Sequence, residues 1–166
     1  MASTEGPCSQ PPDLLIRAFR AGDEAALAAV LGSAVHEVAK ADYTPEQLEA
    51  WAPTSFDEVR WGERMRALRP FVAEIDGTPV GYADLQASGY IDHFFVAGAH
   101  GRRGIGSALM ARILREARER GIAELFSNVS LTAERFFARH GFVVEERQLV
   151  VSRGVELANA RMRRRL

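Results

Sequence analysis

The sequence predicts an α/β (α+β) fold, with a mixed, mostly antiparallel central sheet of about seven strands flanked by helices. Three observations carry this expectation. Apolar residues recur at helical spacing up to Leu68. From Pro70 the period shortens to that of strands, with turn pairs at Asp76-Gly77, Ser88-Gly89 and Arg153-Gly154. The resulting order is strand, helices, three strands, helix, strand, helix, two strands, with no internal repeat.

Residues 1–12 are rich in Ser, Pro and Gly without an apolar run, and are expected to form a flexible tail before a single domain over 13–166. Leu14 to Phe19 is the first strand, and Gly22-Asp23 breaks it. Leu27, Val30, Leu31, Ala34, Val35 and Val38 mark a helix running to about Ala39. Thr44 as N-cap and Pro45 at the first helical position open a second helix, which stops before Pro53. A third covers Phe56 to Leu68. Strands follow at Pro70–Ile75, Pro79–Gln86 and Tyr90–Val96. A glycine-rich loop then enters a helix carrying Ile105, Leu109, Ile113 and Ala117, closed by Gly121. Ala123–Val129 is a strand, and Ser130 is placed as the cap of a helix ending at His140-Gly141. A hairpin of Phe142–Ser152 and Val155–Met162 closes the fold.

Composition narrows the function classes. With 166 residues and 47% hydrophobic content the chain suits one well-filled core. A formal net charge of −1 gives no general attraction to nucleic acid or to a membrane surface. Cys8 is the only cysteine, so neither an internal disulfide nor a cysteine metal cluster is expected. No segment has the length and apolarity of a membrane span, and a reducing cytoplasm is the expected location.

The strand–loop–helix unit at Gly101-Arg102-Arg103-Gly104-Ile105-Gly106-Ser107 has the chemistry of a phosphate cradle. Glycines let backbone approach an anion, and the free N–H groups at a helix N-terminus point towards it. Arg102 and Arg103 add positive charge. A Walker loop needs Lys before its Ser or Thr, whereas Gly106 precedes Ser107. A dinucleotide fingerprint starting at Gly104 needs a glycine where Leu109 stands. ATP and NAD are therefore disfavoured, and a ligand-free turn is the alternative.

Tyr90-Ile91-Asp92-His93-Phe94-Phe95-Val96 followed by Arg103-Gly104-Ile105-Gly106-Ser107-Ala108-Leu109 resembles motif A of the GNAT N-acetyltransferases. Ala133 to Phe142, ending in Gly-Phe, resembles their motif B. Asp42 to Ala52 is similar to the signature of the YafP-like bacterial branch. The resemblance covers Leu14 to Met162 and implies a GNAT-type sheet, acetyl-CoA as co-substrate and no metal. It further implies that the strand before the loop splays from Ala123–Val129, with pantetheine in the gap beside Phe94, Phe95 and Val96 and pyrophosphate on Gly101 to Ser107. Asn128 and Ser130 lie across the gap. Two positions depart from the family pattern. Gly101 replaces the usual Gln or Arg of motif A, and Phe137 replaces the Tyr that protonates the leaving thiolate in many members. His140 stands near that place, with a helix-terminal cap as its alternative role.

An ammonium group must lose a proton before it attacks a thioester. Asp92 is ionisable in an otherwise apolar strand, so it is either used or paired. It is the candidate base, with Tyr90 as its polar neighbour. Strand alternation would set Tyr90, Asp92, Phe94 and Val96 on one face and Ile91, His93 and Phe95 on the other. The acceptor, a small-molecule or peptide amine, is expected between residues 39–68 and the final hairpin, near Tyr43, Trp51 and Trp61. An acyl-CoA-binding sensor and a protein-interaction module are the competing readings. A monomer and a homodimer both fit.

Overall fold

The computed structural model describes Pro11 and residues 13–166. Apart from Pro11, the predicted tail with Cys8 lies outside the described residues. In chain order the elements are β1 (Leu14–Ala18), α1 (Glu24–Ser33), α2 (Pro45–Trp51), α3 (Glu58–Leu68), β2 (Phe71–Ile75) and β3 (Thr78–Ala83). Then come β4 (Tyr90–Ile91), β5 (Phe94–Val96), α4 (Ile105–Glu119), β6 (Glu124–Ser130), α5 (Glu134–Arg139), β7 (Val143–Ser152) and β8 (Val155–Arg165).

The strands form two four-stranded sheets, β1-β2-β3-β5 and β4-β6-β8-β7. The class is the expected one, mixed α/β with mostly antiparallel pairing. The strand count differs because Tyr90 to Val96 is not one strand. β4 pairs parallel to β6, whereas β5 pairs antiparallel to β3, so the chain changes sheets at Asp92-His93. The predicted alternation of faces fails at that step.

Period-two alternation along β2 feeds two cores. Val72 faces Leu27, Val30 and Met65 of α1 and α3, together with Tyr82. Ala73 faces the other way, into the core that α4 builds with Ile105, Leu109, Met110 and Ile113. A helix layer thus covers each side of the first sheet.

Local chemistry explains most ends. Thr44 and Gln47 form a capping box: Thr44 Oγ1 accepts from the Gln47 N–H (3.2 Å) and Gln47 Oε1 from the Thr44 N–H (2.9 Å). α3 begins two residues later than expected because Asp57 caps it, accepting from the N–H groups of Val59 and Arg60. α1 does not run evenly to Ala39. It passes at Ala34–Val38 into a π-helical turn, which widens the helix locally. Ser130 ends β6 and does not cap α5; its hydroxyl accepts from the Ala133 N–H (3.2 Å) in the intervening turn.

Candidate functional site

Three arrangements meet around the change of sheet. The first is the loop before α4. Gly104 has φ +77° and Arg102 φ +60°, and no side chain caps α4. Its first N–H groups are thus left to the loop and to any ligand. Phe136 and His140 wall this end. A Cβ on Gly106 would come within 3.1 Å of the Phe136 ring, so a side chain there would push that wall. The His140 ring packs on Phe136 at 4.5 Å, and its Nε2 lies 3.4 Å from Ser107 Oγ. Burial, then the charges of Arg139 and Arg164, lower the proton affinity of His140. On the other side the Gly98 N–H donates to Ser33 Oγ (2.9 Å), which donates to Glu37 (2.9 Å). The Arg103 guanidinium donates to His100 Nδ1 (3.0 Å).

The second arrangement is the break itself. Asp84 is fully buried, and its Oδ1 accepts the backbone N–H groups of Asp92 (2.9 Å) and His93 (2.6 Å). These two donors point at a side chain instead of at a neighbouring strand. Ser127 Oγ holds the β4 side by donating to the Ile91 carbonyl (2.7 Å). Burial raises the Asp84 carboxyl above its ordinary range, with the N–H of His93 opposing. β5 and β6 are not neighbours in either sheet.

The third is a cleft of about 1150 Å³ between α1, the Trp51–Thr54 turn, α3 and the break. Trp51, Trp61 and Phe95 supply apolar wall, and Asp92 and His93 both open into it. The Asp92 carboxylate is ion-paired with Arg64 of α3, and Tyr90 Oη donates to its other oxygen at 3.5 Å.

The chain matches the family model described as an acetyltransferase (GNAT) domain over residues 39–164. It is 36% identical over 151 residues to the protein called uncharacterized N-acetyltransferase YafP of Escherichia coli (strain K12), covering 91% of this chain and 95% of that one. The chain belongs to the GNAT acetyltransferase family. A GCN5-related N-acetyltransferase from Rhodopseudomonas palustris superimposes with a TM-score of 0.88 at 32% identity, covering 95% of this chain and 97% of that one. The putative acetyltransferase yncA of Salmonella typhimurium, solved with acetyl-CoA, shares the fold at 22% identity, with a TM-score of 0.69 over 92% and 94% of the two chains.

Within this GNAT fold the predicted residues fall into separate groups. Gly101 to Ser107 and His140 gather at the α4 N-terminus. Phe95 and Asp92 face the cleft. Tyr90 stacks on Phe126 at 5.3 Å, and its hydroxyl accepts from Asn128 Nδ2 (3.3 Å), which links Asp92 to β6. Phe94 turns away to Phe136 and Phe137. Phe137 is 3% exposed and part of the α4 core. Val96 is half-buried against that core, and Ser130 sits in the turn described above. His140 is not among the residues lining the cleft with Asp92. Trp51 and Trp61 line it as expected, but Tyr43 does not. The Tyr43 hydroxyl is committed to the Ala158 carbonyl (2.6 Å) and the Leu131 N–H (3.0 Å).

Sequence reasoning missed Asp84, Arg64 and the α1 wall, and it set His93 aside. His93 is 8% exposed, and its Nδ1 lies 2.9 Å from the hydroxyl of fully buried Tyr82. Tyr82 Oη has one proton and no other partner among the described residues. A buried hydroxyl donates that proton where an acceptor is in reach. Nδ1 is then the acceptor, and the ring proton sits on Nε2, 3.8 Å from Asp92 Oδ2. Burial pushes His93 down to about 4, so near neutral pH the ring is uncharged and presents an N–H to Asp92. Asp84 was findable: it is ionisable in an apolar strand, the same signal that singled out Asp92.

Proposed function

We propose that this GNAT protein transfers an acetyl group from acetyl-CoA to a primary amine of a small molecule or peptide, by direct attack in a ternary complex. The observation that carries the reading is the change of sheet at Asp92-His93. It parts β5 from β6 beside an uncapped helix N-terminus and sets a carboxylate at the head of a cleft. The residues present fit the co-substrate. The glycines before α4 and the uncapped N–H groups of its first turn suit a pyrophosphate. Asn128 and Ser130 of β6 are the candidate pantetheine contacts.

Acetyl-CoA supplies a thioester whose C–S bond breaks as the amine nitrogen bonds to the carbonyl carbon. Asp92 takes the proton of the incoming ammonium group, directly or through water, and Tyr90 orients it. The developing oxyanion is assigned to a backbone N–H of Phe95 or Val96. Phe137 has no proton to give. His140, with lowered proton affinity, is uncharged near neutral pH and is assigned to the loop wall. A thiol of pKa about 8.5 leaves as thiolate and is protonated by solvent.

The test is a thermal-shift and calorimetric titration with CoA, acetyl-CoA, ATP and NAD, followed by thiol release with a panel of amines. Acetyl-CoA at about a hundredfold over its Kd should add about 2.7 kcal/mol of stability, and one or more amines should release thiol. Selective response to ATP or NAD would overturn the reading. Tight CoA binding with no turnover of any amine would favour an acyl-CoA sensor instead.

A further inference from the structure

Arg60 and Arg64 stand one helical turn apart on α3, so their side chains leave the same face, and both line the cleft. Most carboxylates around them are already engaged. Asp57 caps α3 with its Oδ1. Glu24 accepts from the Gly22 N–H (2.7 Å) and from Arg66 (3.0 Å). Asp92 is held by Arg64. Only Glu58 is left without such a partner among the described lining residues. The cations are less satisfied. The Arg60 guanidinium makes no hydrogen bond or ion pair among the described residues. Arg153, on the opposite wall, donates to the neutral Ala50 carbonyl (2.8 Å), which leaves its charge uncompensated. Arg64 is 54% exposed, so its pairing with Asp92 is readily exchanged.

The geometry points to an acceptor that carries a carboxylate as well as its amine, such as an amino acid or a peptide with an accessible carboxylate. That carboxylate docks between Arg60 and Arg64, which offer forked donors matched to its two oxygens. Trp51, Trp61 and Phe95 hold the apolar body. Docking also draws Arg64 off Asp92 Oδ2, and so frees that oxygen to take the ammonium proton when a cognate acceptor is bound. Arg60 and Arg64 are thus specificity residues, and Arg64 in addition masks the base in the free protein. This rests on the acyl-transfer reading, but its recognition half is testable without turnover.

The experiment compares matched amines with and without a carboxylate: phenylalanine with phenethylamine, tryptophan with tryptamine, and lysine with cadaverine. In parallel, amine-free 3-phenylpropionate is titrated into the protein by thermal shift and calorimetry. The carboxylate-bearing member of a pair should have the higher kcat/KM by at least about tenfold, the effect of one charge-assisted hydrogen bond. Arg60→Gln should erase that preference through KM and leave the decarboxylated partner unchanged. Arg64→Gln should erase it too, while raising kcat on the decarboxylated amine. 3-Phenylpropionate should stabilise the wild type and not the double variant. If the acid binds in this Arg-dependent way but no amine is acetylated, carboxylate recognition stands and the acetyltransferase reading fails. Equal kcat/KM within every pair, or no Arg-dependent response to 3-phenylpropionate, overturns the inference.

Discussion

Asp84→Ala should destabilise the protein by about 2–6 kcal/mol. The figure follows from its bonds: the substitution removes a fully buried acceptor and orphans the N–H groups of part-buried Asp92 and buried His93, and each unsatisfied buried donor costs about 1–3 kcal/mol, the Asp92 donor towards the lower end. Domains have only about 5–15 kcal/mol to lose. Asp84→Asn keeps an oxygen for the same two donors, so its loss should be a small fraction of the alanine effect. Urea denaturation at constant m separates the two variants. The asparagine variant also tests the charge. Burial holds the Asp84 carboxyl above its ordinary value of 3.8. The unfolded chain ionises at the ordinary value while the folded one keeps its proton, so the destabilising contribution is absent below about 3.8 and complete above the folded pKa. Acidification through that window should favour the wild type relative to Asp84→Asn. His93, lowered to about 4 from 6.5, acts in the opposite sense, since its burial disfavours the folded state as pH falls from 6.5 to about 4. His93 is common to both proteins, and subtracting one pH curve from the other removes its contribution. An alanine loss under about 1 kcal/mol, or a difference curve of opposite slope, would refute the assignment of Asp84 as the residue that holds the break.

The remaining predictions address the loop, the base, the imidazole and a helix end. Asp92→Asn should cut kcat by about 10²-fold or more near pH 7 with CoA affinity nearly unchanged; equal loss in both would rule it out as base. Gly104→Val, at φ +77°, and Gly106→Val, against Phe136, should abolish CoA binding while circular dichroism stays native, and retained tight binding would sink the loop assignment. In two-bond ¹H–¹⁵N spectra at pH 7, His93 should be the Nε2–H tautomer and Tyr82→Phe should convert it to a mixture; an Nδ1–H wild type contradicts the donor assignment. Thr44→Ala should remove about 1 kcal/mol by opening the capping box, as a urea midpoint would register.

Much of the fold was legible because local rules decide it. Thr44-Pro45 starts a helix for capping reasons, Asp76-Gly77 turns a hairpin because Asp76 and Gly77 both take positive φ, and apolar spacing marks α4. The site was legible only in part. Tyr90 to Val96 reads as one strand, and what breaks it is a carboxylate eight residues upstream, a residue the sequence marks as unusual without showing which N–H groups it takes. Arg64 reads as a solvated helical charge until α3 is laid across Asp92. A Cβ on Gly106 would press on Phe136, thirty residues away, a contact the loop sequence alone does not announce. Gly101 and Phe137, the two departures from the family pattern, have backbone and core roles here, so the lost side-chain chemistry leaves the loop and the core intact.

The cleft and the loop are not independent sites, because α1 serves both. Its first turns line the cleft, and its π-helical end braces the loop. That widened turn sets Ser33 and Glu37 against Gly98, where the chain leaves β5 for the loop. The fit is close: a Cβ on Gly98 would sit 2.6 Å from Glu37 Oε2, so the Glu37 carboxylate would have to swing off the Ser33 hydroxyl. A shift of α1 that widened the cleft would therefore drag the strand–loop junction with it. Ordering the loop on a pyrophosphate would, by the same contact, steady the cleft wall. Rigid elements held by shared hydrogen bonds are how a fold keeps two reactants in register. In this chain the link between α1 and the loop runs through the Gly98 N–H, the Ser33 hydroxyl and the Glu37 carboxylate.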